Sequence, residues 1–331
     1  MAHVRIAERK GPVLTCSSLR CLASLPTINM TAGCAHDCVY CYTRGYRQYP
    51  GDETVVLYRH TARQVARELD RRKTKPPGVY FCPSCDAFQP PEQVLDESYR
   101  TMSALLARGV GVRLATKGIV PDRFLDLFVQ HRGLVSGQVG LISLDDELLG
   151  IIEPGAPSPK QRLATIGDLR DAGAEVSLRA DPLIHRATDS PGQLARLFAA
   201  ARDAGAGAIA VSYLFLRPMI LRILRRRLAE SGLLDRILAS YEHGEALGIR
   251  GGSGRGLMLS AEIRRRAFAD IRSVAAAHGL PLSICGCKNA DLVRSRCGLA
   301  GAEPLRKRAQ GGIDSRPLLW PTTHATDREA P

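Results

Sequence analysis

The chain is 331 residues long, with 46 lysines and arginines against 33 aspartates and glutamates, a formal net charge of +13 and ten cysteines. Its 45% hydrophobic and 24% charged composition is that of an ordinary globular protein and excludes wholesale disorder. No uninterrupted run of about 18 apolar residues occurs, which excludes a membrane-spanning helix; the most apolar stretch, 208–224, is broken by Arg217, Pro218 and Arg222.

In chain order, residues 1–10 carry His3, Arg5, Glu8, Arg9 and Lys10 and lack the apolar run of a signal peptide. The expected location is therefore the cytoplasm, where clustered cysteines read as metal or redox ligands before disulfides. Residues 1–26 read as an arm packed on the main body of the fold. Short β-branched or apolar runs then predict strands at 27–31, 78–81, 110–115, 139–144, 175–178 and 208–214. Helical patterns fall between them at 61–72, 91–108, 121–130, 159–172 and 191–204. The first places Val65, Ala66 and Leu69 on one face, and the last three begin with Pro, which suits a first helical turn. After the second strand, starts recur at roughly 30-residue intervals, the length of a βα unit. Runs apolar on both faces predict a parallel sheet covered by helices.

The fold class is thus α/β. Six strands are too few for a closed eight-stranded barrel and suit a partial (β/α)6 barrel over 27–220, with its chemistry at the C-terminal ends of the strands. Beyond it, an Arg-rich helical region at 218–240, a Gly-rich loop at 248–256 and a helix at 260–278 belong to a cysteine-containing C-terminal extension over 221–309. Residues 310–331 are polar and Pro/Thr-rich and read as a disordered tail.

The first strand runs into Cys34-Ala35-His36-Asp37-Cys38-Val39-Tyr40-Cys41. Three thiolates at C-x3-C-x2-C spacing can converge on one face of an iron–sulfur cubane and leave its fourth iron open. Zinc is the alternative, with His36 as a poorly placed fourth ligand. This loop resembles the defining motif of the radical S-adenosylmethionine (SAM) superfamily, including an aromatic residue, here Tyr40, before the last cysteine. The resemblance covers roughly residues 25–220. It implies a 4Fe–4S cluster on Cys34, Cys38 and Cys41, with SAM chelating the open iron. Reductive cleavage of SAM would give a 5′-deoxyadenosyl radical that abstracts hydrogen from substrate. It also implies a reducing partner such as flavodoxin or ferredoxin.

Two further strand ends, Tyr80-Phe81-Cys82-Pro83-Ser84-Cys85-Asp86 and Leu114-Ala115-Thr116-Lys117-Gly118, resemble the spore photoproduct lyase-like branch. That resemblance implies Lys117 as partner of the SAM carboxylate and Ser84 as a polar contact. A lone lysine in a barrel mouth suits a carboxylate on physical grounds too; a solvated surface lysine is the alternative. Ser143 on the fourth strand and Arg179 on the fifth are further candidates, Ser143 being equally compatible with a structural hydroxyl. In the lyase a cysteine near this turn returns a hydrogen atom to the product radical, a role that would fall to Cys85. Cys82 and Cys85 are otherwise small buried residues.

A second group, Cys285-Gly286-Cys287 and Cys297, has C-x-C-x9-C spacing. It predicts an auxiliary iron–sulfur cluster, with Cys16 or Cys21 as candidate fourth ligand; zinc or unligated thiols are the alternatives. Such a cluster would relay electrons or donate sulfur, and it departs from a simple DNA-repair assignment. Arginines cluster at Arg222, Arg225, Arg226 and Arg227 and at Arg264, Arg265 and Arg266. Consecutive arginines cannot all face one groove, and aromatic residues do not interleave with them, so stacking platforms for nucleic acid are not evident. The favoured function is a radical SAM enzyme acting on a small anionic, nucleotide-like or phosphorylated substrate. The alternatives are a DNA photoproduct lyase-like enzyme and a non-catalytic iron–sulfur or zinc protein binding nucleic acid.

Overall fold

The computed structural model describes residues 2–249 and 255–293. Cys297 and the predicted 310–331 tail lie outside the described residues. Seven parallel strands run across one sheet in chain order: β1 (Pro26–Ile28), β2 (Gly78–Phe81), β3 (Gly111–Thr116), β4 (Val135–Gly140), β5 (Glu175–Leu183), β6 (Ile209–Tyr213) and β7 (Leu282–Ile284). A two-residue strand, Thr15–Cys16, pairs antiparallel with the outer edge of β1. The order is linear, so the sheet is open, as in a partial barrel.

Nine helices accompany it: α1 (Thr61–Asp70), α2 (Glu92–Leu106), α3 (Asp122–Gln130), α4 (Asp146–Ile152), α5 (Pro159–Asp171), α6 (Pro191–Ala204), α7 (Pro218–Arg227), α8 (Gly232–Ser240) and α9 (Ala261–Ala277), counted among the described residues. The periodicity explains the packing. Helix α1 buries Thr61, Val65 and Leu69, one residue per turn. Helices α5 and α6 start with reciprocal capping boxes, Ser158 with Gln161 and Ser190 with Gln193, followed by Pro at the first turn. Leu114, Val139, Leu178 and Val211 on successive strands are all buried in one core. Each such side chain contributes about 1.5–3 kcal/mol by leaving water.

The differences from the sequence expectation have local causes. The predicted 27–31 strand divides: the chain leaves the main sheet after Ile28, and Thr31–Ala32 joins a small sheet with Thr54–Arg59 and His3–Glu8. The latter is the N-terminal arm, paired in parallel register along Thr54–Arg59. The fourth strand lies four residues earlier than predicted, at Val135–Gly140 rather than 139–144. Its glycines hide it from a hydrophobicity pattern. A Cβ on Gly137 would come within 3.3 Å of Leu169 on α5 and 3.4 Å of Leu114 on β3, so this tight layer needs a small residue. The 218–240 region divides into α7 and α8. Strand β7 has no counterpart in the sequence reading; only three residues long, it is held by pairing with β6.

Candidate active site

The cysteine loop leaves Thr31–Ala32 through Gly33. That residue has φ +81°, and a Cβ there would lie 2.5 Å from the Thr54 carbonyl oxygen, so only glycine fits. The loop then folds on itself: the Asp37 N–H donates to the Cys34 carbonyl (3.4 Å) and the Cys41 N–H to the Cys38 carbonyl (3.1 Å). The Ala35 N–H donates to Gln89 Oε1 at 2.9 Å and the Val39 N–H to the Ile152 carbonyl at 2.9 Å. The buried Arg44 guanidinium holds the outer side. It donates to the Cys38 carbonyl at 3.2 Å and pairs with Asp37 and Asp52. From α7, Arg226 reaches Asp52 and Arg227 reaches Asp37 at 2.8 Å. Half of the first arginine cluster thus clamps the cysteine loop.

Cys34, Cys38 and Cys41 line a cavity of about 490 Å³ at the C-terminal ends of the strands, together with Tyr40, Cys82, Ser84, Cys85, Lys117 and Arg179. Its size is that of a small-molecule site. Burial pushes the Cys34 and Cys38 thiols well above their ordinary value, with Lys117 opposing the shift at Cys38. Lys117 follows β3. Its Nζ lies 3.9 Å from Glu153 Oε1 and 5.8 Å from the centre of the Tyr40 ring. Gly140, ending β4, leaves room for it: a Cβ there would sit 3.0 Å from Lys117 Cγ and 3.1 Å from its Nζ. Glu153 is buried and accepts from the Tyr40 hydroxyl and from Arg162. Burial raises its carboxyl pKa while Arg162 opposes the rise.

The turn after β2 carries Cys82, Ser84 and Cys85. Cys82 has φ +56° and the Cys85 N–H donates to its carbonyl at 3.3 Å. Asn29 accepts from the Ser84 N–H at 2.9 Å. Burial pushes the Cys82 thiol up. Burial also opposes ionisation of Cys85, but hydrogen bonds from Cys82 and Thr31 outweigh it and hold Cys85 below its ordinary value. Asp86 ties this turn to the lysine. It accepts from Thr116 Oγ1 (2.7 Å) and the Lys117 N–H (2.7 Å), with His36 Nε2 at 3.1 Å. His36 therefore serves the buried carboxylate rather than a metal.

On β5, Arg179 donates to Gln138 Oε1 at 2.8 Å and pairs with Asp181, whose other oxygen accepts from Lys288 at 2.5 Å. Lys288 and Arg217 also line the cavity. Ser143 does not. With β4 ending at Gly140, Ser143 falls in the following loop, and its Oγ accepts from the Asp145 N–H at 3.0 Å, a turn-forming hydroxyl. Cys285 and Cys287 line the same cavity, and Cys21 from the arm joins them, whereas Cys16 is exposed. Of the second arginine cluster, Arg264 is fully buried and bonded to Asn289 and Asp291, while Arg266 pairs with Glu262 on the surface. Sequence reasoning missed Glu153 and Arg44, and quoted Asp86 only as part of the turn motif after the second strand. Nothing marks Glu153 and Arg44 except a charge beside an apolar run: Tyr40 and Lys117 are remote from Glu153 in sequence, and Arg44 meets Asp37 and Asp52 only through the fold of the loop.

Residues 28–198 match the radical SAM superfamily. The chain belongs to that superfamily. Membership implies a 4Fe–4S cluster and SAM. An uncharacterized protein of Mycobacterium tuberculosis is 32% identical over 207 residues, 59% of this chain and 61% of that one. The chain thus spans about three-fifths of the length of this curated relative. A radical SAM Nalpha-GlyT isomerase of Pseudomonas phage M6 is 25% identical over 152 residues, 46% of this chain and 31% of the isomerase. Among solved structures, spore photoproduct lyase complexed with dinucleoside spore photoproduct superposes with a TM-score of 0.67 at 17% identity, covering 85% of this chain and 82% of the lyase. SuiB of Streptococcus suis bound to SAM gives 0.51 at 11% identity, covering 81% and 53%. These likenesses establish a shared fold. No described helix is long and apolar enough to cross a membrane.

The donor set fits the cluster. Among the described residues, no three His, Cys, Asp or Glu side chains converge tightly enough to hold one metal ion. Thiolates on one zinc lie about 3.8 Å apart, given Zn–S bonds of ~2.3 Å. A cubane instead gives each thiolate its own iron and takes them further apart. Buried thiols with raised pKa values are also suited to release their protons to an incoming cation.

Proposed function

We propose that Cys34, Cys38 and Cys41 hold the 4Fe–4S cluster, that Lys117 pairs with the SAM carboxylate, and that the enzyme acts on a small anionic, nucleotide-like or phosphorylated substrate. The observation that carries this is the single cavity bringing those thiols to Lys117, Arg179, Arg217 and Lys288. When bound, the cluster and SAM supply a carbon-centred radical that abstracts hydrogen. The chain's own residues do the positioning. The Asp86 bond to the Lys117 backbone and the room left by Gly140 aim the ammonium into the cavity. Tyr40 closes one wall, with its hydroxyl held by Glu153. Ser84 supplies a hydroxyl at the turn facing the thiols. Arg179, held by Gln138 and Asp181, offers a guanidinium for carboxylate or phosphate. A flavodoxin or ferredoxin would supply the electron. A second cluster near Cys285 and Cys287 would act as electron relay or sulfur donor.

A second reading is repair of a DNA lesion with Cys85 as hydrogen donor, favoured by the Cys85 thiol lining the same cavity as the cysteine loop. The test is 5′-deoxyadenosine formation by reduced, reconstituted protein. Stimulation by nucleoside phosphates or other small phosphorylated compounds, without DNA, is the expected result. Stimulation only by irradiated DNA would replace the first reading with the second.

A further inference from the structure

Cys21 and Cys287 are 266 positions apart in the chain, yet their sulfurs lie 3.0 Å from each other. Cys285 completes a buried group in which each of the three is at most 6% exposed. Cys287 is the middle member. Hydrogen bonding with Cys21 favours its thiolate, while contact with Cys285 and burial raise its pKa. Cys287 thus contacts both Cys21 and Cys285.

The surroundings are built to hold this group in place. The Cys21 N–H donates to Cys287 Sγ at 3.3 Å, a bond of the kind that stabilises ligating sulfur. Tyr80 donates to the Cys21 carbonyl at 3.1 Å and so fixes the arm. On the other side, the Cys285 N–H donates to the Val211 carbonyl at 3.0 Å. The buried Asn289 side chain donates to the Cys285 carbonyl at 2.9 Å, and Arg264 secures Asn289 and Asp291. All three thiols line the cavity that the cysteine loop enters, and Lys288 stands beside them.

We infer that Cys21, Cys285 and Cys287 ligate a second, polynuclear iron–sulfur cluster. Three buried thiols brought together from remote chain segments are a donor set that iron–sulfur clusters take. Cys297, the remaining cysteine of the sequence group, lies outside the described residues. Of the two arm cysteines that the sequence offers as a further ligand, Cys21 joins this group and Cys16 is exposed. The inference deepens the proposed function and rests on it only for the purpose of the shared cavity.

The test is anaerobic reconstitution of the full chain carrying Cys34→Ala, Cys38→Ala and Cys41→Ala, with iron, sulfide and electron paramagnetic resonance as readouts. Two to four irons per chain, with equal sulfide and a spectrum on reduction, are expected, within the roughly two- and four-iron classes. Adding Cys21→Ser or Cys287→Ser should remove them, whereas Cys16→Ser should not. Circular dichroism melts confirm that each variant folds. Iron at background in the triple variant, iron indifferent to Cys21→Ser, or a Cys21–Cys287 disulfide in anaerobically purified protein would each overturn the inference. Failure of the proposed function is a separate outcome: wild type would then carry no more iron than the triple variant.

Discussion

Glu153 fixes where the cavity lysine can sit. It is nearly solvent-free, and it shares its two oxygens between Tyr40 and Arg162, with Lys117 within 3.9 Å. Removing one member of a buried ion pair strands the other charge, at a cost of about 3–5 kcal/mol. Glu153→Gln should therefore lower stability by that amount in denaturant titrations, because Arg162 is only 1% exposed. Lys117→Ala should behave oppositely. It leaves the fold near wild type and weakens SAM binding about 10- to 100-fold, the loss of one charge-assisted bond. Unchanged SAM affinity by calorimetry would remove Lys117 from the binding site. Cys85 offers a pH test. Hydrogen-atom donation needs the S–H form, and the Cys85 pKa is lowered, so the thiol is lost at lower pH than usual. If Cys85 quenches a product radical, single-turnover yield should fall as pH rises toward the ordinary thiol range near 8.5. Cys85→Ser should abolish both the yield and its pH dependence. A flat profile would exclude the donor role.

Two glycines separate loop architecture from side-chain placement. At Gly33 the obstacle to a Cβ is backbone, the Thr54 oxygen at 2.5 Å, and φ is positive. Gly33→Ala should cost at least about 1 kcal/mol and reduce cluster loading, measured as iron per chain. At Gly140 the obstacle is the flexible Lys117 side chain. Gly140→Ala should retain iron and stability but lose SAM affinity several-fold. Iron loss in the second variant would place Gly140 among the loop's supports instead. These glycines also mark what sequence reading reaches. The βα alternation is legible wherever strands are unbroken apolar runs, as in Gly78–Phe81 and Ile209–Tyr213. The glycine-containing β4 lies four residues from where its pattern points, and that offset carries Ser143 wrongly into the site. The three-residue β7 and the Thr54–Arg59 strand exist through pairing with remote partners, which no local pattern encodes. The cysteine motif and the lysine at the strand end are legible because their spacing is local. Cys21 emerges as the partner of Cys287 only once the chain is folded.

Across the whole molecule, the charge of +13 divides into structural and site charge. Arg44, Arg162, Arg226, Arg227 and Arg264 each pair with a carboxylate. Part of what resembles a basic binding surface is thus engaged in ion pairs, and Lys117, Arg179, Arg217 and Lys288 line one cavity with Asp86 and Asp181. The cavity, about 490 Å³, is of small-molecule size. A small phosphorylated substrate and duplex DNA differ in salt response. Neutralising about six DNA phosphates costs roughly 10³-fold in affinity between 50 and 200 mM salt, because condensed counterions are released. One or two phosphates, by the same slope, lose at most about tenfold. Equilibrium titration with a nucleoside monophosphate should therefore show a shallow salt dependence that Arg179→Ala flattens further. Duplex DNA should bind weakly at 200 mM salt and show no preference for irradiated strands. A steep slope with tight binding of irradiated duplex would mean that the charge serves a polymer, and would favour the repair reading.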